Sequence, residues 1–172
     1  MKKIFLILAL AAQIAAAAYS QHAVEEFYVH NGENIFYLRM PASEIRRILG
    51  HPDEEEKIIR EHYNRPNFYV IKYHGIEFTY FDLSHKPEIV PTVVAISFKE
   101  PYQICNLNMI GRNADEILAH YGNPKTKERQ CEYKYFRYNF RLEMPDHLVL
   151  QFRFNALGIC DEVSLIHSNF YI

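Results

Sequence analysis

One stretch of this chain occurs twice. Ala42-Ser43-Glu44-Ile45-Arg46-Arg47-Ile48-Leu49-Gly50-His51-Pro52 recurs as Ala114-Asp115-Glu116-Ile117-Leu118-Ala119-His120-Tyr121-Gly122-Asn123-Pro124. In the first copy Ala42, Ile45, Ile48 and Leu49 stand at helical spacing; in the second Ala114, Ile117, Leu118 and Tyr121 do so more cleanly. Each run stops at a glycine, Gly50 or Gly122, where a left-handed residue costs little, and a proline two places on cannot continue the turn. Asn113 with Glu116 makes an N-terminal cap, while Pro41, at the equivalent place, lacks the N–H that a first turn leaves unpaired. Helices of about eight residues do not persist alone in water, so both must lie on a β surface.

The strands supply that surface. Phe68 to Tyr73 and Ile76 to Tyr80 flank His74-Gly75, and Val93 to Phe98 follows a loop holding Pro87 and Pro91. The second copy offers Glu132 to Met144, Leu148 to Asn155 and Glu162 to Ile166. Leu148, Leu150, Phe152 and Phe154 alternate with the polar Gln151, Arg153 and Asn155, which predicts one buried and one wet face. Ahead of the first helix, Phe27-Tyr28-Val29 and Ile35-Phe36-Tyr37-Leu38 flank His30-Asn31-Gly32-Glu33-Asn34, a short hairpin or a strand with its lead-in. The stretch from Pro52 to Asn67 reads either as an acidic helix start or as a strand, and leans to helix. Lys99 to Gln103 joins the two copies and is too short for a flexible linker, so a continuous sheet or a tight interface is expected.

The predicted fold is therefore α+β: two tandem helix-plus-antiparallel-sheet repeats packed as one composite domain, covering 21–103 and 104–172. Residues 1–20 read as a signal peptide, with Lys2 and Lys3 ahead of the apolar run Ile4 to Leu10 and then alanines. Cleavage fits before Tyr19 or before Gln21, the latter favoured. The run is short of the roughly 20 strongly apolar residues of a membrane span, and no cysteine near the site offers a lipid attachment point. The expected localisation is periplasmic or secreted, with no stable membrane anchor after cleavage. The remaining chain carries 17 basic residues against 21 acidic ones and no long basic stripe, which argues against nucleic acid as a partner.

Candidate chemistry is sparse. The nine histidines include no His-x-His or His-x-x-x-His, and no cysteine pair has zinc spacing. Glu116 and His120, four apart on one helix face, suit an ordinary side-chain pair. There is no Gly-x-Ser-x-Gly elbow, no cysteine-protease signature and no glycine-rich phosphate loop. Neither a cofactor nor a metal is expected, nor an enzyme activity. Cys105, Cys131 and Cys160 read either as three mostly buried thiols or as one bridge involving Cys105 with one thiol left over.

Phe and Tyr together supply 25 of the 172 residues. Most are core, and the excess marks candidate binding residues with basic neighbours: Tyr69, Lys72 and Tyr73 in the first copy, and Tyr133, Lys134, Tyr135 and Arg153 in the second. Tyrosine and arginine are enriched in binding hot spots. The alternative is a small-ligand carrier with an aromatic pocket between helices and sheet; an extracytoplasmic hydrolase is the weakest option.

Ile110-Gly111-Arg112-Asn113-Ala114-Asp115-Glu116-Ile117, leading to Gly122-Asn123-Pro124 with Tyr133-Lys134-Tyr135 and Phe140 beyond, carries a resemblance. So do Ala42, Glu44, Ile45, Gly50, Pro52, Lys72, Tyr73 and Phe78 of the first copy. The pattern resembles the BamE/SmpA-OmlA lipoprotein domain and the β-lactamase inhibitor protein family, which pairs two such units. Arg39 stands where that pattern favours glycine, and Arg46 takes an apolar helix position. The resemblance implies a protein-binding surface on an antiparallel sheet, no enzyme activity, and another extracytoplasmic protein as partner.

Overall fold

The computed structural model describes residues 27–60, 66–84, 86, 88–141 and 147–167. The expected signal peptide lies outside them. Among the described residues thirteen elements follow one another: β1 (Tyr28–His30), β2 (Ile35–Tyr37), α1 (Ala42–Leu49), β3 (Glu54–Ile58), β4 (Phe68–Tyr73), β5 (Ile76–Phe81), β6 (Val93–Phe98), β7 (Gln103–Ile104), α2 (Ala114–Tyr121), β8 (Thr126–Gln130), β9 (Tyr133–Arg141), β10 (His147–Phe154) and β11 (Cys160–His167). Eight strands form one antiparallel sheet in the order β3-β4-β5-β6-β11-β10-β9-β8, and β2-β1-β7 form a small second sheet.

This corrects the expected fold class. The chain is mostly β, and its described helices amount to two elements of eight residues each. The helix-plus-sheet repeat is not its structural unit. The reason is the β6–β11 ladder, which pairs Ile96 with Leu165 and Ala95 with Ile166: backbone hydrogen bonding runs unbroken through the middle of the chain, so one sheet forms. The acidic run Glu54-Glu55-Glu56, leaning to helix in the sequence, is strand β3 at one edge; the polar Thr126 to Gln130, which carries no strand signal, is β8 at the other. Charge on exposed edge strands hinders pairing with other chains.

Strand registers place one residue from each strand in rows across the sheet. The row Glu55, Ile71, Phe78, Ile96, Leu165, Leu150 and Tyr138 is almost wholly apolar and, past Glu55, buried. The neighbouring row, Glu54, Lys72, Glu77, Ser97, Ser164, Gln151, Arg137 and Thr126, has no large apolar residue in any of the eight strands. Side chains alternate along each strand, so these two rows face opposite ways.

Both helices and the small sheet pack on the apolar side. Ile45 of α1, Ile117 of α2, Val29, Phe36 and Ile104 share one buried cluster with Ile71, Phe78, Leu150 and Phe152. The Phe36 and Phe78 rings meet edge-on at 5.1 Å, and Tyr121 of α2 packs against Phe152 at 5.3 Å. On the opposite side Ala95, Val149 and Ile166 form a separate small cluster to which neither helix contributes.

Each helix is fixed at both ends. Asn113 forms a full capping box with Glu116, its side chain accepting from the N–H groups of Asp115 and Glu116. Pro41 caps α1 with its backbone carbonyl alone, which takes the N–H groups of Glu44 and Ile45. Before α1, Arg39 N–H donates to Val93 and Val93 N–H returns to Met40; before α2, Gly111 N–H donates to Cys160 and Cys160 N–H returns to Arg112. Arg39 holds φ at 70° where Gly111 has 83°, a left-handed backbone that disfavours a side chain by about 1 kcal/mol. Arg46 has a concrete reason to replace an apolar residue: it reaches Glu55 of β3 at 2.8 Å and the Tyr80 hydroxyl at 3.4 Å.

Candidate functional site

The candidate binding residues divide between the two faces of the sheet. Adjacent strand residues point to opposite sides, so Lys72 and Tyr73, or Lys134 and its neighbours Tyr133 and Tyr135, cannot share one face. Tyr73 is a core residue on the covered side, its hydroxyl donating to the Gly50 carbonyl. Tyr69, on the same side, stacks on Tyr80 with centroids 5.5 Å apart. Lys134 also lies on that side, its ammonium 4.7 Å from the Phe136 ring centroid. Lys72, Tyr133, Tyr135 and Arg153 take the polar face. Lys72 pairs there with Glu54 at 2.9 Å, four strands from Arg153 and so about 19 Å away at normal strand spacing.

That leaves Tyr133, Tyr135 and Arg153 as a cluster at one end of the polar face. Arg153 lies opposite Tyr135 on β9 and Glu162 on β11. Its guanidinium donates to Asp161 through Nε at 2.9 Å and Nη2 at 3.2 Å, and to Glu162 through Nη1 at 2.9 Å. The Tyr133 ring covers it at 4.7 Å. A register shift between Arg153 and Phe154 accompanies this fork; such a bulge bends the strand and re-aims its side chains, so Asp161 and Glu162, adjacent in sequence, both reach one arginine.

The electrostatics follow from that packing. Burial pushes the Glu162 carboxyl up, and Arg153 and Lys99 only partly oppose it. Burial lowers the Arg153 guanidinium, but Asp161 and Glu162 outweigh it and the net direction is up. The Tyr135 phenol is raised, chiefly by burial. Nε, Nη1 and Nη2 are all engaged, so Arg153 is held in place beneath the Tyr133 ring.

Sequence reasoning missed the rest of this face. Ser97 and Ser164 share a hydrogen bond at 2.9 Å, Arg137 donates to Gln151 at 2.6 Å and pairs with Glu128 at 2.8 Å, and Glu77 lies between Lys72 and Ser97 in the row. The available signal was the polar residue inside each apolar strand, such as Ser97 within Val93 to Phe98.

Other candidates resolve plainly. Cys105, Cys131 and Cys160 form no disulfide. Cys131 is exposed, against the expectation of a buried thiol, because the turn that holds it, with φ at 55°, follows the edge strand β8, which buries none of its residues. Cys160 is buried, which pushes its thiol up to about 12 and keeps it protonated. Glu116 is occupied by the Asn113 N–H and by Arg112, which hold its carboxyl low; His120 packs edge-on against Tyr121. Among the described residues no group of three or more His, Cys, Asp or Glu is placed to hold a metal ion, and no helix is long and apolar enough to cross a membrane. A cleft of about 310 Å³ lies at the start of α2, between Asn106, Asn108, Arg112, Glu116 and His120, and one of about 300 Å³ lies beside Arg129, Glu132 and Lys134. Neither is walled by the aromatic core. Comparison with protein-family models, with curated proteins and with solved structures finds no match to this chain.

Proposed function

We propose that this protein is an exported, non-enzymatic binding module whose partner is another extracytoplasmic protein, in an inhibitor-like or envelope-associated role. The Tyr133–Arg153–Tyr135 cluster carries the reading: an arginine anchored by Asp161 and Glu162 lies under the Tyr133 ring and opposite Tyr135, on the polar face of a sheet whose other face is given to core packing. Tyrosines offer large contact area at low entropic cost and concentrate in hot spots. Glu54, Glu56, Glu77 and Glu128 lie on the same face, and the mildly acidic chain favours a basic partner, which such charges steer toward contact.

The test is affinity capture with the mature protein followed by mass spectrometry, comparing wild type with Tyr133→Ala/Tyr135→Ala. The expected result is a polypeptide partner whose affinity falls about 10-fold or more in the double variant, with an unchanged melting temperature. Recovery of a bound small molecule instead, or capture equally strong in the variant, overturns the proposal.

A further inference from the structure

The turn between β1 and β2, remote from the polar face, gathers every group needed for a side chain to react with its own backbone. His30 Nδ1 accepts the Gly32 N–H at 3.1 Å. Its Nε2 meets the Cys105 carbonyl oxygen, which can only accept, so Nε2 carries the hydrogen and Nδ1 keeps its lone pair. The Asn31 Oδ1 accepts two backbone N–H groups, from Glu33 at 3.1 Å and from Asn34 at 2.9 Å. Burial raises the Tyr102 phenol, and the Asn31 side-chain amide partly opposes that rise.

We propose that Asn31-Gly32 is a self-modifying site, at which the Gly32 nitrogen attacks the Asn31 Cγ to close a succinimide ring that water then opens to aspartate or isoaspartate. The parts match those of acyl transfer. The nucleophile is the Gly32 nitrogen, its proton already directed at a base, His30 Nδ1, which the Cys105 carbonyl orients. The Glu33 and Asn34 N–H groups hold the oxygen on which negative charge develops in the tetrahedral intermediate. As the N–Cγ bond forms, the Gly32 proton passes to His30; as the Cγ–Nδ2 bond breaks, a proton goes to the departing nitrogen, which leaves as ammonia. Tyr102, buried and with its phenol raised by that burial, stays protonated beside this amide. Water then adds to either ring carbonyl and breaks one C–N bond, so no oxidant or reductant is required.

Gly32 suits the attack for a second reason. It is exposed, and the space where a Cβ would stand holds nothing within 4 Å, so water has access to the turn. The product carries a new carboxylate beside Glu33, and in the iso form an extra backbone methylene, at the turn that sets the register of Tyr28 with Tyr37 and His30 with Ile35.

The experiment follows Asn31 by peptide mapping and ammonia release in the purified protein and in a synthetic peptide of the same turn, both at neutral pH. The folded protein should convert about 10-fold faster than the peptide or more, because only the fold orients base and donors. His30→Gln should slow the folded chain about 100-fold while leaving its rate in denaturant unchanged. Conversion in the folded protein no faster than in the peptide, or a His30→Gln chain as fast as wild type, overturns the proposal; should that variant not fold, the comparison of wild type with peptide still decides.

Discussion

The Tyr138 hydroxyl donates to the carbonyl of Gly122, at 3.0 Å, where α2 ends. Tyr73 does the same for Gly50 at the end of α1, at 3.1 Å. A helix leaves its last carbonyls without intrahelical partners, and here a sheet tyrosine takes one of them at each helix. Tyr138→Phe and Tyr73→Phe should each lower stability by about 1 kcal/mol, the usual net value of one hydrogen bond. Urea denaturation checks this: each midpoint should fall with an unchanged slope, since neither ring leaves the core.

The two glycines at those ends are a separate requirement. Gly50 has φ 78° and ψ −147°, and Gly122 has φ 74° and ψ −157°, a region closed to other residues at a cost of about 1–3 kcal/mol. A Cβ at either would meet nothing within 4 Å, so the penalty is purely conformational. Gly50→Ala and Gly122→Ala should each destabilise by that amount, and Gly122→Asn by as much, since asparagine tolerates the left-handed helical region, with ψ at about +47°, and not this one. Thermal unfolding of the three variants separates conformation from crowding.

Arg153 ties β9, β10 and β11 together on the polar face, and its side chain is only 18% exposed. Arg153→Met keeps the stem but leaves Asp161 and Glu162 side by side without their cation. The expected loss is about 2 kcal/mol or more, given the value of hydrogen bonds to charged groups. Adding Glu162→Gln should restore part of it, because one of the stranded carboxylates is gone. Denaturant midpoints of the single and double variants give the coupling.

Asp82 sets an acid limit on stability. Lys57 donates to it at 2.8 Å and the Ser84 N–H at 3.1 Å, and together they lower its carboxyl from 3.8 to about 2. A depressed carboxylate contributes stability that is full above its unfolded value and fades as pH falls toward the folded one. Stability should therefore drop between about pH 4 and pH 2, and Asp82→Asn should remove that part of the profile while lowering stability at neutral pH. Unfolding free energy measured against pH in both proteins tests the sign.

Much of the local structure is legible in the chain itself. The cap at Asn113 and Glu116, the helix stops at Gly50 and Gly122, and the strands Phe68–Tyr73 and Val93–Phe98 all follow from residue type and spacing, because backbone preference and apolar periodicity act over a few neighbours. The edge strands β3 and β8 escape such reading for one shared reason. Glu54 to Ile58 and Thr126 to Gln130 bury almost nothing, so they lack alternation, and only the ladders offered by β4 and β9 make them strands. The candidate site divides the same way: Tyr133, Tyr135 and Arg153 were visible as residue types, whereas Asp161 and Glu162 join them only through the irregular pairing beside Phe154.

By itself, the amino-acid sequence determined where helices start and stop, which strand residues are apolar, and that His30-Asn31-Gly32-Glu33-Asn34 lies between two short apolar runs, as a hairpin or a strand with its lead-in. Tertiary structure alone decided that β6 pairs with β11, which makes one eight-stranded sheet where a continuous sheet and a tight interface had both been open. It also decided that Tyr73 faces the core while Lys72 faces outward, and that Cys105 orients His30 from 75 residues away. Such outcomes depend on strand partners and register between distant segments, and a one-residue change of register would exchange the faces of a strand without altering a single local preference.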